Sequence, residues 1–589
     1  MIGWFYRKKA RQNKESYLMG GKKLPWYMLG LSDASDMFDI SGTMWMVSLA
    51  FVYGFKSIWI PWLWPSFNQV FNMMFLAKWL RRSNADTGAE WLATRFGIKG
   101  KGVKASHNIT VAFALIGCLG FLAYGFVGLG KFIEIFIPWN IVQPYIPVTI
   151  APQYVAHFYG IIFTLFAMFY SILGGMHSIV VGDVIKYAIM TVGCVAIGII
   201  AVVNVQGKQL NVPTGWDSPF FGMNLNLDWS NIIADANKKI QEDNFGLFGI
   251  FFMMMLFKGV FASLAGPAPN YDMQKVLSTR SPKDASKMTG FVSIVLLPIR
   301  YSMVIGLTVL ALLYYNRLNI ATPNGTDFER ILPAAINTFL PVGILGLVLT
   351  GLLGAFMGTF SGTVNAAQAY IVNDIYLKYV NPEATTKKII GMNYLVGVVV
   401  VAVGVTLGFF AKDVNSVLQW IVGALYGGYI AANMLKWYWW RFNAHGFFWG
   451  MAAGIIAALV FPFLFDDVLP LYVWPLLFLI SIAGSLIGTY TAPATDEDVL
   501  KKFYRTVRPW GFWKPIHDKV VAEHPDFEPN KRFKLDMFNV VLGIIAQLCL
   551  TIFPMYLILW MKLPLLITIL ILAVVIFTLK KTWWNKLED

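Results

Sequence analysis

The run Leu31-Ser32-Asp33-Ala34-Ser35-Asp36-Met37-Phe38-Asp39-Ile40-Ser41-Gly42 lies inside an apolar segment, 27–53, and puts three carboxylates near its middle. Spacing of three places Asp33, Asp36 and Asp39 on an arc of about 120° of a helix. On insertion scales each acid costs about 2.5–3.5 kcal/mol at the centre of a spanning helix, so three cost near 8–10 kcal/mol before mutual repulsion. Cations, hydrogen bonds or protonation must offset that. Structural ion pairing is one answer, and a cation site is the sharper one. Unwinding over 35–42 would free backbone carbonyls, which suit a hard cation such as sodium.

The rest of the chain makes a membrane the right setting. Of 589 residues, 57% are hydrophobic and 13% charged, and mean hydropathy is +0.59. A soluble domain carries roughly 25% charged residues, so a soluble enzyme, a disordered chain and a secreted disulfide scaffold are excluded. About fourteen apolar runs of roughly 20 residues each predict spanning helices, from 27–53 to 563–579. The net charge of +15 is a topology signal. Roughly 35 Lys and Arg fall in alternate loops by the positive-inside count, among them 1–26, the loop after the second span and 492–536. Both termini are expected in the cytoplasm, and no nucleic-acid partner is expected. Cys118, Cys194 and Cys549 all fall in apolar segments, so neither a disulfide nor a metal site is read from them. No His/Cys/acid constellation with catalytic spacing appears, so the chain is not expected to be an enzyme.

A second interruption falls in the sixth span, at Ala265-Gly266-Pro267-Ala268-Pro269-Asn270. Two prolines remove two donors and cannot stay helical. The two breaks lie five spans apart, so the broken segments run in opposite directions. Broken helices at matching places in two inverted halves point to a transporter binding site; the plainer reading is that Pro-Ala-Pro ends the sixth span at the surface. In the eighth span Gly351, Gly354, Gly358 and Gly362 form a stripe that lets two backbones approach, with Thr359 and Ser361 beside it. Arg300 is the basic residue deepest in the core. It could pair Asp33 or Asp39, the preferred reading, or bind a carboxylate on the substrate. Lys131 and Glu134 predict an i,i+3 ion pair. Ser66, Asn68, Gln69 and Asn72 on the second span could reach a hydroxylated substrate, and Trp62 and Trp64 could stack on a sugar ring; interhelical hydrogen bonding explains them equally well. The segment 206–243 predicts an outer lid. Thr495 is expected to cap a helix in the inner loop, with Trp510, Phe512 and Trp513 along the membrane surface.

These residues resemble the sodium:solute symporters, the family of bacterial proline, sialic acid and sugar symporters and of the animal sodium/glucose cotransporters. Ala34-Ser35-Asp36-Met37 resembles the Ala-Ser-Asp-Met of proline symporters. Tyr170-Ser-Ile-Leu-Gly174-Gly175 followed by Val181-Gly-Asp183-Val-Ile resembles the family's Gly-Gly…Thr-Asp-Val-Ile-Gln stretch. Met357-Gly358-Thr359, Gln274-Lys275 and Asn373-Asp374-Ile375-Tyr376 fall on further family motifs, and Gln419 lies where sugar symporters place a sugar-binding glutamine. The resemblance runs from about Tyr17 to about Tyr490.

It implies an all-α polytopic membrane protein with a five-plus-five inverted-repeat (LeuT-like) core and broken helices 1 and 6. The implied activity is sodium-coupled import of a small polar solute by alternating access, most simply a sugar or polyol, with an amino acid or other carboxylate as the alternative. A transporter-like solute sensor and a channel are weaker rivals. Sodium is the implied coupling ion, held by carbonyls of Ala34, Met37 and Ala355 and the hydroxyl of Thr359, with Asp36 adding a charge where Gly358 lacks the family's second hydroxyl. A second cation site at Asp183 and Ser361 is possible, and a single sodium is preferred. The implied substrate ligands are Ser66, Asn68, Gln69, Asn270, Tyr271, Arg300 and Gln419. The expected organisation is a basic cytoplasmic segment 1–26, a ten-helix core 27–434, two accessory helices 435–491, a cytoplasmic loop 492–536 and two C-terminal helices within 537–589. Family members begin with an extra helix, so the start is expected to be short. The protein is expected in a cell membrane, with the lipid bilayer, sodium and a small-molecule substrate as partners.

Overall fold

A computed structural model describes residues 19–63, 67–85, 87–268, 271–322, 325–411, 426–464 and 468–588. Ten of its helices are long and apolar enough to cross a membrane, or eleven when the bent first pair counts as one span. The fourteen expected from hydropathy include shorter pieces at 68–82, Phe248–Leu264 and Tyr426–Tyr438.

The first span is α1 (Trp26–Asp36) and α2 (Ile40–Tyr53), whose axes bend by 63° at the acid run. The second, α3 (68–82), contains a π turn at Asn72–Leu76. After the amphipathic α4 (Gly88–Phe96) come α5 (Lys101–Phe136) and α6 (Val155–Val205). The last holds two candidate spans, Pro152–Phe169 and Met176–Val205. The outer segment carries α7 (Ala234–Glu242). Then α8 (Phe248–Leu264) stops, Gly266 turns the chain at φ +86°, and α9 (Tyr271–Leu277) begins. The core is completed by α10 (Pro282–Leu313), α11 (Val342–Ile371), α12 (Thr386–Phe409) and α13 (Tyr426–Tyr438). Beyond it lie α14 (Ala444–Leu464), α15 (Pro470–Tyr490), α16 (Glu497–Val507), α17 (Lys514–Glu523), α18 (Phe533–Ile558) and α19 (Lys562–Thr582).

Small residues set the spacing of the central helices. A Cβ on Gly351 would stand 2.8 Å from Met190 Sδ, and one on Gly354 3.0 Å from Lys186 Cγ. The expected stripe therefore seats α11 on the second half of α6. Both chain ends of the bundle are sealed by aromatic plugs. On the 206–243 segment, Trp216 and Trp229 are fully buried and donate their indole N–H groups to Phe51 O (2.9 Å) and Val52 O (3.0 Å). These are carbonyls at the end of α2 that have no partner within the helix, so the segment caps α2. On the opposite side, the guanidinium of Arg95 in α4 donates to the carbonyls of Lys436, Trp439 and Phe442 at 2.8, 2.9 and 2.9 Å, which caps α13.

Three local expectations change. The α16 cap is Asp496, whose carboxylate accepts from Asp498 N at 2.9 Å, and not Thr495. Phe512 is exposed, but Trp513 is buried and donates to Trp437 O at 3.0 Å, while Trp510 stacks on Tyr438; the inner loop docks onto α13 instead of spreading over the membrane. Lys131 and Glu134 do not pair with each other. Lys131 reaches Glu329 at 2.6 Å and Glu134 receives Arg330 at 3.0 Å, because partners from the 327–330 turn offer shorter approaches than the neighbouring helical turn.

Candidate functional site

The break between α1 and α2 is built by its own side chains. Asp39 is the N-cap of α2: its carboxylate accepts the Gly42 N–H and the Tyr124 hydroxyl (3.1 Å), and its carbonyl accepts the Thr43 hydroxyl (2.6 Å). Asp is a favoured cap because its oxygen replaces the missing helical acceptor. A side chain at 42 would meet Asp39 Oδ2 and the Tyr124 hydroxyl at 2.8 Å, which explains the glycine. One of the three acids is thus accounted for by local structure.

The other two, Asp33 and Asp36, sit in a dry cluster. Lys275 on α9 places its Nζ 2.7 Å from Asp36 Oδ2 and 3.5 Å from Asp33 Oδ1, and all three side chains are 2% exposed or less. Gln69 on α3 donates to Asp33 Oδ2 at 3.4 Å. Ser32 donates to Asp183 Oδ2 at 2.7 Å, and Lys186 pairs Asp183 Oδ1 at 3.1 Å. Lys275 is therefore the counter-ion of Asp33 and Asp36, while Arg300 forms no ion pair within 4 Å among the described residues, lies over the Phe38 ring at 5.9 Å and acts at longer range on Asp39. Lysine wins by position: the α9 turn that follows the sixth-span break faces the end of α1, whereas Arg300 opens onto a cavity.

Helix α11 closes the cluster. The Thr359 hydroxyl donates to Asp36 O at 2.6 Å and lies 3.3 Å from Ala355 O. A Cβ at Gly358 would stand 2.7 Å from Asp36 Oδ1 and 3.0 Å from Asp183 Oδ1. The Asp36 carboxylate therefore occupies the space that a serine side chain at 358 would need. Asp36 Oδ1 is buried with no hydrogen-bond partner. The structure joins Asp36, Thr359 and Ala355 by hydrogen bonds, Met37 caps α1 and lines the same cavity as Thr359, and Ala34 is buried two residues before Asp36. Asp183 adjoins the same cluster. Ser361 is buried with its hydroxyl unpartnered, and no contact joins it to Asp183 in the described structure.

Beside the cluster lies a cavity of about 270 Å³, near the lower end of small-molecule sites, which begins at roughly 300 Å³. Asn68, Gln69 and Trp62 line it from the second span, Asp39 and Met37 from the break, Asp272 from α9, Arg300 and Ser293 from α10, and Thr359 from α11. The Arg300 Nε is buried without a hydrogen bond. Of the expected substrate ligands, Asn68, Gln69 and Arg300 are thus together. Ser66, Asn270 and Gln419, and with them Trp64, lie outside the described residues, as does the side chain of Tyr271. Sequence reasoning missed Asp272, Lys186, Ser32 and the pairing role of Lys275. The available signal was the excess of buried acid, which demands a base within reach, and Lys275 follows the sixth-span break by a single turn and a half.

The family model for the sodium:solute symporter family matches residues 17–454. The sodium/glucose cotransporter of Vibrio parahaemolyticus is 23% identical over 483 residues, covering 78% of this chain and 81% of its own. The sodium/proline symporter of Haemophilus influenzae is 22% identical over 471 residues, covering 78% and 84%. The sodium/myo-inositol cotransporter of Mus musculus is 22% identical over 566 residues, covering 88% and 69%. Among solved structures, a substrate-bound outward-open Na+-coupled sialic acid symporter superposes with a TM-score of 0.61 at 17% identity, over 84% of this chain and 95% of that one.

Proposed function

The chain belongs to the sodium:solute symporter family, a multi-pass transporter of the cell membrane with sodium as coupling ion and no enzymatic activity, and from that premise we propose that it imports a sugar or polyol. The carrying observation is the cavity beside the first-span break. Its Asp39, Asp272, Asn68 and Gln69 offer acceptors and donors in several directions, with Trp62 as an apolar face. A hydroxyl-rich ring needs that combination: each buried hydroxyl must find a partner, and an aromatic face covers the apolar C–H surface. Relatives named as glucose and myo-inositol cotransporters support the reading.

Sodium would be held by the carbonyls of Ala34, Met37 and Ala355, the Thr359 hydroxyl and the Asp36 carboxylate. The donor set suits a hard cation, and the unpartnered Asp36 Oδ1 is the atom such an ion would satisfy. Asp183 and Ser361 form at most a second, weaker position. One positive charge crossing 100 mV releases about 2.3 kcal/mol, and a tenfold sodium gradient adds about 1.4 kcal/mol. One sodium therefore suffices to concentrate a neutral solute several-hundred-fold.

A specific observation favours a second reading, a carboxylate substrate such as an amino acid or sialic acid. Arg300 reaches the cavity with no ion-pair partner among the described residues, and arginine binds carboxylates in a two-pronged manner. Uptake into proteoliposomes of labelled glucose, myo-inositol, proline and sialic acid, with and without a sodium gradient, separates the two. Sodium-driven accumulation of a neutral probe alone supports the sugar or polyol reading; accumulation of the anionic or zwitterionic probes alone replaces it.

A further inference from the structure

We propose that α18, which lies outside the family-matched part of the chain, forms a wall of the substrate cavity, and that Gln547 on it is a specificity-determining residue that hydrogen-bonds a substrate hydroxyl. The inference rests on reading the central cavity as the substrate site.

Ile544, Gln547, Leu548 and Thr551 all line that cavity. Their spacing of three, four and seven puts them on one face of the helix. Two contacts fix that face inward. A Cβ on Gly543 would stand 2.5 Å from Val70 Cγ1, so glycine there lets α18 press against α3. The Gln547 amide donates to the Ser293 hydroxyl on α10 at 3.0 Å. Ser293 lies two turns before Arg300 on the same helix, and both line the same cavity. The polar edge of α18 thus continues a polar edge of α10 around the space.

An interhelical hydrogen bond alone would explain the Gln547–Ser293 contact. Such bonds contribute on average about 0.6 kcal/mol in membranes, so the contact by itself does not decide the residue's role. Polar residues within spans that face an interior cavity generally mark the transported species' path. The amide group also both donates and accepts, which matches a hydroxyl, itself donor and acceptor. A hydroxylated neutral solute gains from that pairing, and a bare carboxylate gains only from its donor half.

The test uses the full chain in proteoliposomes and in open membrane fragments, with labelled glucose and myo-inositol as probes. Gln547→Ala is expected to raise KM for the transported probe about tenfold, equivalent to about 1.4 kcal/mol, with maximal rate and sodium half-saturation near those of the parent. A purely structural bond would instead lower yield and thermal stability and leave KM unchanged, which overturns the proposal. Independently, Thr551→Cys and Asn68→Cys are made in a background lacking Cys118, Cys194 and Cys549. Both are expected to react with a charged thiol reagent and to be protected by sodium plus probe. An unreactive Cys at 551, or protection at 68 without protection at 551, removes α18 from the site while leaving the cavity reading intact. Absence of protection at both positions overturns the cavity reading and this inference together.

Discussion

Replacing Lys275 by glutamine removes the base that forms ion pairs with Asp33 and Asp36 among the described residues. At an effective dielectric of about 20, charges 2.7 and 3.5 Å apart attract by about 6 and about 5 kcal/mol gross. Desolvation of the ammonium and both carboxylates offsets much of this, so the pair is not a net source of stability of that size. Breaking it is another matter. With all three side chains almost wholly buried, Lys275→Gln leaves uncompensated negative charge, at a cost of about 3–5 kcal/mol. Unfolding by SDS titration in mixed micelles reads that loss as a free energy, and yield in mild detergent gives a second readout. Adding Asp36→Asn should restore most of the loss, with a coupling of about 2–3 kcal/mol, as for residues in direct contact. Arg300→Gln should show no such rescue by Asp33→Asn or Asp36→Asn, since it forms no ion pair with either among the described residues. If the Lys275 and Asp36 losses simply add, or if either of those aspartate changes rescues Arg300→Gln instead, the assignment of the counter-ion is wrong.

Thr359→Ala should raise the sodium concentration for half-maximal uptake about 5–30-fold, the equivalent of one to two kcal/mol, while Thr359→Ser keeps the hydroxyl and much of the activation; normal activation in both places sodium elsewhere. Gly358→Ala puts a methyl group 2.7 Å from Asp36 Oδ1 and should lower sodium-activated uptake strongly by displacing that carboxylate. Uptake at the parent rate would show that Asp36 Oδ1 is not used. Trp216→Ala empties a buried indole site and leaves the Phe51 carbonyl unpartnered, so it should cost about 3–5 kcal/mol in the same SDS titration, an effect absent from the exposed Phe220→Ala.

The membrane class and the helix breaks were legible because they depend on one-dimensional facts. Long apolar runs, three acids in one of them and a Pro-Ala-Pro in another follow from the order of residues. The family resemblance pointed to Thr359, Ala355 and the carbonyls of the first break as sodium ligands, and the structure joins Thr359 to Asp36 O and Ala355 O. Which base meets which acid was not legible. Arg300 looked right because it is deep in its helix, but depth along a helix says nothing about azimuth, and its side chain opens onto the cavity. Lys275 belongs to a helix of seven residues whose position is set by the turn at Gly266 and the packing of α9 against α1. Asp39 misled in the opposite way: it counted as one of three buried charges, yet it works as an N-cap with two hydrogen-bond donors of its own. The contribution of α18 could not be read at all, since four residues at helical spacing in a C-terminal span look the same whether they face lipid or a cavity.

The geometry also explains how the proposed sodium site can work without a serine at 358. The Thr359 oxygen has one proton and two lone pairs. It now spends the proton on Asp36 O at 2.6 Å, which ties α1 directly to α11. The two lone pairs of the Thr359 oxygen stay open to a cation, and Ala355 O, 3.3 Å distant, is a second acceptor for the proton. A carbonyl oxygen has two lone pairs, so Ala355 can accept the hydroxyl and still face the ion. In the proposed site, coordination of one charge would add a second link between the two helices. Asp36 would supply the negative partner for that charge through Oδ1, the oxygen that Lys275 leaves free of hydrogen bonds. A serine at 358 would bring a second neutral hydroxyl but would exclude the carboxylate from the space it occupies. In the proposed site a full charge from α1 would stand where the resemblance implies a hydroxyl from α11.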